Sequence, residues 1–172
     1  MIRNLLISAI VKTAAAKADS GKADSGRGYV SLRLTNDSAK KLHKAVLDAG
    51  VVNPIRPDKM HLTLMYDKSD PKIPDYSSVN KSYEAGIKAV KQLGKGKYKA
   101  LALELISPEI TKRHEDLVSQ GFDHSHKNFL PHVSLKYKPS DGDFKKIKRN
   151  LNDIKSHISL TLANESAERL SD

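Results

Sequence analysis

The chain has 172 residues, 38% of them apolar, and carries 30 Lys and Arg against 20 Asp and Glu, a formal charge of +10 at pH 7. That length supports one hydrophobic core rather than two independent domains. The absence of cysteine excludes disulfides and thiolate metal sites, and no apolar run approaches the roughly eighteen residues of a membrane span.

The surplus of cations draws polyanions to the surface and makes nucleotides natural ligands, although a basic balance also serves solubility and sets no reaction type. Residues 1–27 differ in character from the rest. The apolar stretch 5–11 behind Arg3 resembles a weak secretory signal, yet no convincing small-residue cleavage site closely follows, so a cytoplasmic protein is expected. The duplicated "KADSGKADSG" buries too little surface to order itself. Residues 1–27 therefore read as a flexible extension before a single domain over 28–172.

From Gly28 the periodicity alternates between strands and helices. "GYVSLRL" (28–34) is a strand with Tyr29, Ser31 and Arg33 opposite Val30, Leu32 and Leu34. A helix follows, capped by Asn36 or Asp37, with Ala39, Leu42, Val46 and Ala49 inward and Gly50 as its stop. "MHLTLMY" (60–66) is the next strand; strict alternation puts His61, Thr63 and Met65 on one face and Leu62, Leu64 and Tyr66 on the other.

Tyr83, Ile87 and Val90 share a helical stripe, which predicts a helix over 79–93 ending at Gly94. "YKALALELI" (98–106) is a strand. Ser107 and Pro108 open a helix with Ile110, His114, Leu117 and Val118 along one face. "LPHVSLKY" (130–137) repeats the earlier polar face with His132, Ser134 and Lys136. A basic helix with Phe144, Ile147, Leu151 and Ile154 inward leads to a last strand over 157–163. Strands with one aliphatic and one polar face suit a sheet covered by helices on one side and lining a groove on the other.

His61 and His132, 71 positions apart, would then face one groove. Two imidazoles can divide a phosphoryl transfer, one taking a proton from the attacking oxygen and one giving a proton to the leaving oxygen, with no metal required. The hydroxyls of Thr63 and Ser134, two residues along each face, can donate to non-bridging phosphate oxygens. Lys136 continues the His132 face as a candidate phosphate ligand. A single His-x-Ser/Thr is a weak signal, and the chain holds three; the rival, "HIS" at 157–159, follows polar residues at a strand start instead of sitting centrally in an apolar run. "DHSH" (123–126) invites a metal reading through two alternate histidines, but no second cluster supports it and a cleft-side loop is the stronger reading.

The stretches "GYVSLRLTNDSAKKLHKAVLDAGVVNPIRPDKMHLTLMY", "ELISPEITKRHEDLVSQG", "FLPHVSLKY" and "NESAERL" together resemble the two-histidine (2H) phosphoesterase superfamily, and within it the phage anti-CBASS cyclic-oligonucleotide phosphodiesterases. The resemblance implies a two-lobed α+β fold, with antiparallel or mixed sheets lining a central cleft and helices outside. It implies cofactor-free, metal-independent hydrolysis of 3′,5′ linkages in cyclic di- and trinucleotides, countering bacterial antiviral signalling. It carries His61 and His132 over as catalytic residues, Thr63 and Ser134 as phosphate-holding hydroxyls, Tyr29 as a ligand contact and Glu165 as the C-terminal acid, with Glu168 as the alternative counterpart.

The chain has no Trp, so base stacking falls to Tyr83, Tyr98, Phe129 or none of them. Two further functions fit the same residues: an RNA-processing 2′,3′-cyclic phosphodiesterase, and a non-enzymatic cyclic-nucleotide or RNA-binding module. No stable duplex nucleic acid partner is expected, and the oligomeric state stays open.

Overall fold

The structure, a computed structural model, describes residues 28–73 and 76–170; the expected extension 1–27 lies outside the described residues. Among them run β1 (Tyr29–Leu34), α1 (Asn36–Asp48), β2 (His61–Tyr66), β3 (Tyr83–Leu93), β4 (Ala100–Ile106), α2 (Pro108–Ser119), β5 (His132–Tyr137), α3 (Asp141–His157) and β6 (Leu160–Glu168), an α+β fold. Every strand pairing is antiparallel, and the sheet order is β2-β1-β6-β3-β4-β5.

That order makes β2 and β5 the two edges, which a flat sheet would hold about 24 Å apart at about 4.8 Å per strand. Instead they touch. The sheet curls because register shifts interrupt the β1–β2, β1–β6, β3–β4 and β4–β5 ladders, and bulges bend strands and increase twist. Reciprocal hydrogen bonds close the gap: the Ile55 amide, ahead of β2, donates to the Leu135 carbonyl at 2.7 Å, and the Ser125 amide, ahead of β5, donates to the Tyr66 carbonyl at 2.8 Å.

The aliphatic face carries the core. Helix α2 packs on β2, α3 on β3, and α1 on β6 and β1. Leu32, Leu62, Leu101, Leu103, Ile110 and Ile147 are fully buried there. Each contributes about 1.5–3 kcal/mol relative to an exposed position.

The largest departure from the sequence reading is β3, which replaces the helix expected over 79–93. Tyr83, Ala85 and Ile87 alternate inward as a strand requires; the register then slips between Ile87 and Ala89, and Val90 turns inward. One bulge thus turns a period of two into apolar positions that mimic helical spacing. Tertiary demand decides the outcome, since β4 is buried on both faces and needs β3 as its second ladder partner.

Smaller differences follow. Thr35, not Asn36 or Asp37, caps α1, its hydroxyl accepting from the Ser38 amide. In α2, Val118 is exposed and Arg113 takes the inward place beside Ile110 and Leu117. Helix α3 extends through His157, so the last strand begins at Leu160. The rival His157 therefore ends a helix, its Nδ1 bonded to the Asp153 carbonyl at 2.9 Å and its ring beside the α1–α3 seam.

Candidate active site

His61 and His132 open the two edge strands that the curled sheet brings together. Each ring is fixed by the same local device. His61 Nδ1 lies 2.9 Å from the Lys59 carbonyl and His132 Nδ1 2.8 Å from the Leu130 carbonyl, each two residues upstream. A carbonyl only accepts, so Nδ1 carries the hydrogen and the neutral ring keeps its lone pair on Nε2. The turn Pro57–Lys59 aims the first carbonyl. On the other side, the Leu105 amide pins Pro131 through its carbonyl at 2.8 Å.

Burial holds His132 below the usual histidine pKa; the Leu130 carbonyl opposes this, and the fields of His61 and His126 lower it further. His132 is therefore neutral at pH 7, with His61 and His126 inside its electrostatic reach.

The hydroxyl positions share this face. Thr63 Oγ1 lies 2.9 Å from the Tyr29 hydroxyl, and the Tyr29 ring meets His61 edge-on with centroids 6.4 Å apart. Burial raises the Tyr29 pKa against the lowering hydrogen bond with Thr63, and nearby Tyr137 and Glu168 raise it further. Its phenol stays protonated at neutral pH and can donate. Ser134, on the same face of β5 as His132, is half-buried opposite Ala102.

Two expected ligand contacts have other partners. Lys136 Nζ sits 2.9 Å from Asp143 Oδ2, and Asp143 also closes the Ser140 capping box of α3. Lys136 thus links β5 to α3. Glu165 is buried on the opposite side of the sheet, accepting from Arg113 Nε at 2.9 Å, Arg113 Nη2 at 2.6 Å and the Tyr76 hydroxyl at 3.1 Å. The cause is a bulge in β6. Ser31 pairs with Ser166 but Arg33 pairs with Ala163, and Asn164 takes a positive φ of 54°. One extra residue reverses the alternation, so Glu165 points to the core while Glu168 lies opposite Tyr29. Of the two acids, Glu168 is the one paired across from Tyr29.

A cleft of about 400 Å³ runs along this face, lined by Tyr29, Thr63, Tyr66, His126, Phe129 and His132 among others. Strict alternation put Tyr66 on the core face and Met65 beside His61. The bulge opposite Val30 and Ser31 instead buries Leu64 and Met65 in succession and turns Tyr66 to the cleft. From the "DHSH" segment, His124 and His126 join the lining. Among the described residues no group of three or more His, Cys, Asp or Glu side chains is placed to hold a metal ion.

His124 Nδ1 accepts from the Tyr66 amide at 3.1 Å, which requires an unprotonated Nδ1. Burial, then the neighbouring His114 and His126, pull its pKa down to about 4 and keep that acceptor available. Of the expected stacking residues, Tyr83 is buried and Tyr98 is 74% exposed and not part of the cleft lining, while Phe129 lines it but is stacked on His114 at 4.0 Å.

His132 lines the cleft and His61 lies against Tyr29, which also lines it; two tethered imidazoles, each followed by a hydroxyl, are candidates for acid–base work on a phosphate ester. The model of one protein family, described as "Anti-CBASS protein Acb1", matches residues 27–172. The chain belongs to that family, which makes it a phosphodiesterase of the anti-CBASS class acting on cyclic oligonucleotides. It is 31% identical over 111 residues to the anti-CBASS protein Acb1 of Vibrio phage KVP40, covering 63% of this chain and 71% of the relative. A crystal structure of TT0787 from Thermus thermophilus aligns with a TM-score of 0.46 and 12% identity over 81% of this chain and 82% of the other. So slight a likeness supports no functional reasoning.

Proposed function

We propose that the protein hydrolyses 3′,5′ phosphodiester linkages of cyclic di- and trinucleotides, in the cytoplasm of an infected bacterium, with His132 as general base and His61 as general acid. The observation that carries this reading is the matched pair of Nδ1-tethered rings at the openings of β2 and β5, two edges that fold together. The neutral Nε2 of His132 takes the proton of the attacking oxygen. The protonated Nε2 of His61 returns one to the leaving oxygen as the P–O bond breaks, so each ring ends in the state in which the other began. The depressed His132 pKa suits the base role.

Thr63, Tyr29 and Ser134 donate to the non-bridging oxygens as charge redistributes. Both proton transfers are met by side chains, which is why the reading includes no metal step. The two-lobed description rests on the reciprocal bonds of Ile55 and Ser125 and on the short β3–β6 seam, three residue pairs from Tyr83 to Ala85, joining the halves of the sheet.

The experiment is incubation with 3′,3′-cyclic GMP-AMP in EDTA followed by separation of cyclic from linear product. Linear product is expected. Opening of 2′,3′-cyclic nucleotides alone would replace this reading with RNA-end processing, and retention of unchanged ligand would replace it with a binding module.

A further inference from the structure

Segment 123–126 is strapped to the end of β2 by backbone and side-chain bonds. The Asp123 amide donates to Asp67 Oδ2 at 2.7 Å and the Ser125 amide to the Tyr66 carbonyl at 2.8 Å. In return the Tyr66 amide donates to His124 Nδ1 and the Lys68 amide to Ser125 Oγ at 2.9 Å. These bonds leave one product that they do not explain. The His126 ring lies stacked on Tyr66, centroids 5.4 Å apart and planes 21° from parallel, and meets His124 edge-on at 5.4 Å, although His126 itself is exposed.

Both rings line the cleft, and the field of His126 reaches His132. Lys68 adds a cation 5.9 Å from the Tyr66 centroid. An aromatic pair lining the cleft, with a cation alongside, has the composition of a nucleobase platform: every base has a π-face and stacks on such rings without needing sequence-specific hydrogen bonds.

We propose that Tyr66 and His126 form the surface on which a nucleobase of the substrate stacks while its phosphodiester lies between His61 and His132. The inference rests on the cyclic-oligonucleotide reading above for the identity of the ligand, and it assigns stacking to residues other than Tyr83, Tyr98 and Phe129. It makes His126 a binding residue, so its loss acts on KM.

The test compares steady-state cleavage of 3′,3′-cyclic GMP-AMP by the wild type, His126→Ala, His126→Phe and Tyr66→Leu. Loss of one stacking contact should raise KM about tenfold in His126→Ala, with kcat within about threefold. His126→Phe, which keeps a planar ring, should return KM to within about threefold of wild type. Tyr66→Leu should match His126→Ala. An unchanged KM in His126→Ala, or a Phe variant as impaired as the Ala variant, would overturn the proposal. His126 is exposed, so its variants do not threaten the fold.

If the wild type cleaves no cyclic dinucleotide, the functional reading fails and the platform is judged by NMR titration with 5′-AMP. Upfield shifts of the Tyr66 ring protons, lost in His126→Ala, would support it; unmoved ring protons would refute it.

Discussion

Replacing Glu165 by Gln tests whether the C-terminal acid serves the fold or the reaction. The Arg113 and Glu165 side chains are 8% and 0% exposed, and the guanidinium meets both carboxylate oxygens, at 2.6 Å and 2.9 Å. An amide keeps the shape but removes the charge, leaving a buried cation facing one acceptor and one donor. Breaking a buried pair this way costs about 3–5 kcal/mol. At about 2–4 °C per kcal/mol for a domain near this size, Tm should fall by about 6–20 °C.

Differential scanning calorimetry reads that shift, and turnover measured well below the lowered Tm should stay within about threefold of wild type. Joint replacement, Arg113→Met with Glu165→Leu, removes both charges and should recover most of the loss. Glu168→Gln, on an exposed side chain, should leave Tm within about 2 °C. A Glu165→Gln protein with wild-type Tm and abolished turnover would refute the structural assignment and return Glu165 to the chemistry.

His61→Ala and His132→Ala should each lower kcat by about a hundredfold to ten-thousandfold, and the double variant should fall little further because the rings act as a unit. With His132 proposed as the neutral base, its depressed pKa places the acid limb of kcat/KM below the usual histidine midpoint of 6.5; a limb above that value would contradict the base assignment. His124 binds no proton in the folded state until about pH 4, whereas an unfolded histidine binds one from 6.5 downward. Stability should therefore decline as pH falls through that window, and His124→Gln should flatten the decline in a Tm-versus-pH series. Leu101→Ala, at a fully buried position, should cost about 2–5 kcal/mol in denaturant unfolding.

Much of the molecule was legible in linear order. Alternation over 60–66 and 130–137 located β2 and β5 and put His61 with Thr63, and His132 with Ser134, on polar faces, because side-chain direction in a strand follows from parity alone. The three helices α1, α2 and α3 were equally visible from their apolar stripes and breakers. Parity is also what failed. The errors at Met65 and Tyr66 lie beyond the bulge opposite Val30 and Ser31, where one extra residue reverses the side chains that follow, and the slip between Ile87 and Ala89 gave the β3 strand the apolar spacing of a helix.

The chain by itself determined which residues are candidates for the chemistry, since two imidazoles and their hydroxyls are local facts of composition and spacing. Tertiary structure alone decided that the two edge strands meet, that Glu165 is held by Arg113 while Glu168 stands beside Tyr29, and that the "DHSH" loop lays His126 on Tyr66. Those outcomes depend on the curl of the sheet and on hydrogen bonds between segments more than fifty residues apart, such as Ser125 to Tyr66, and no local pattern carries that information.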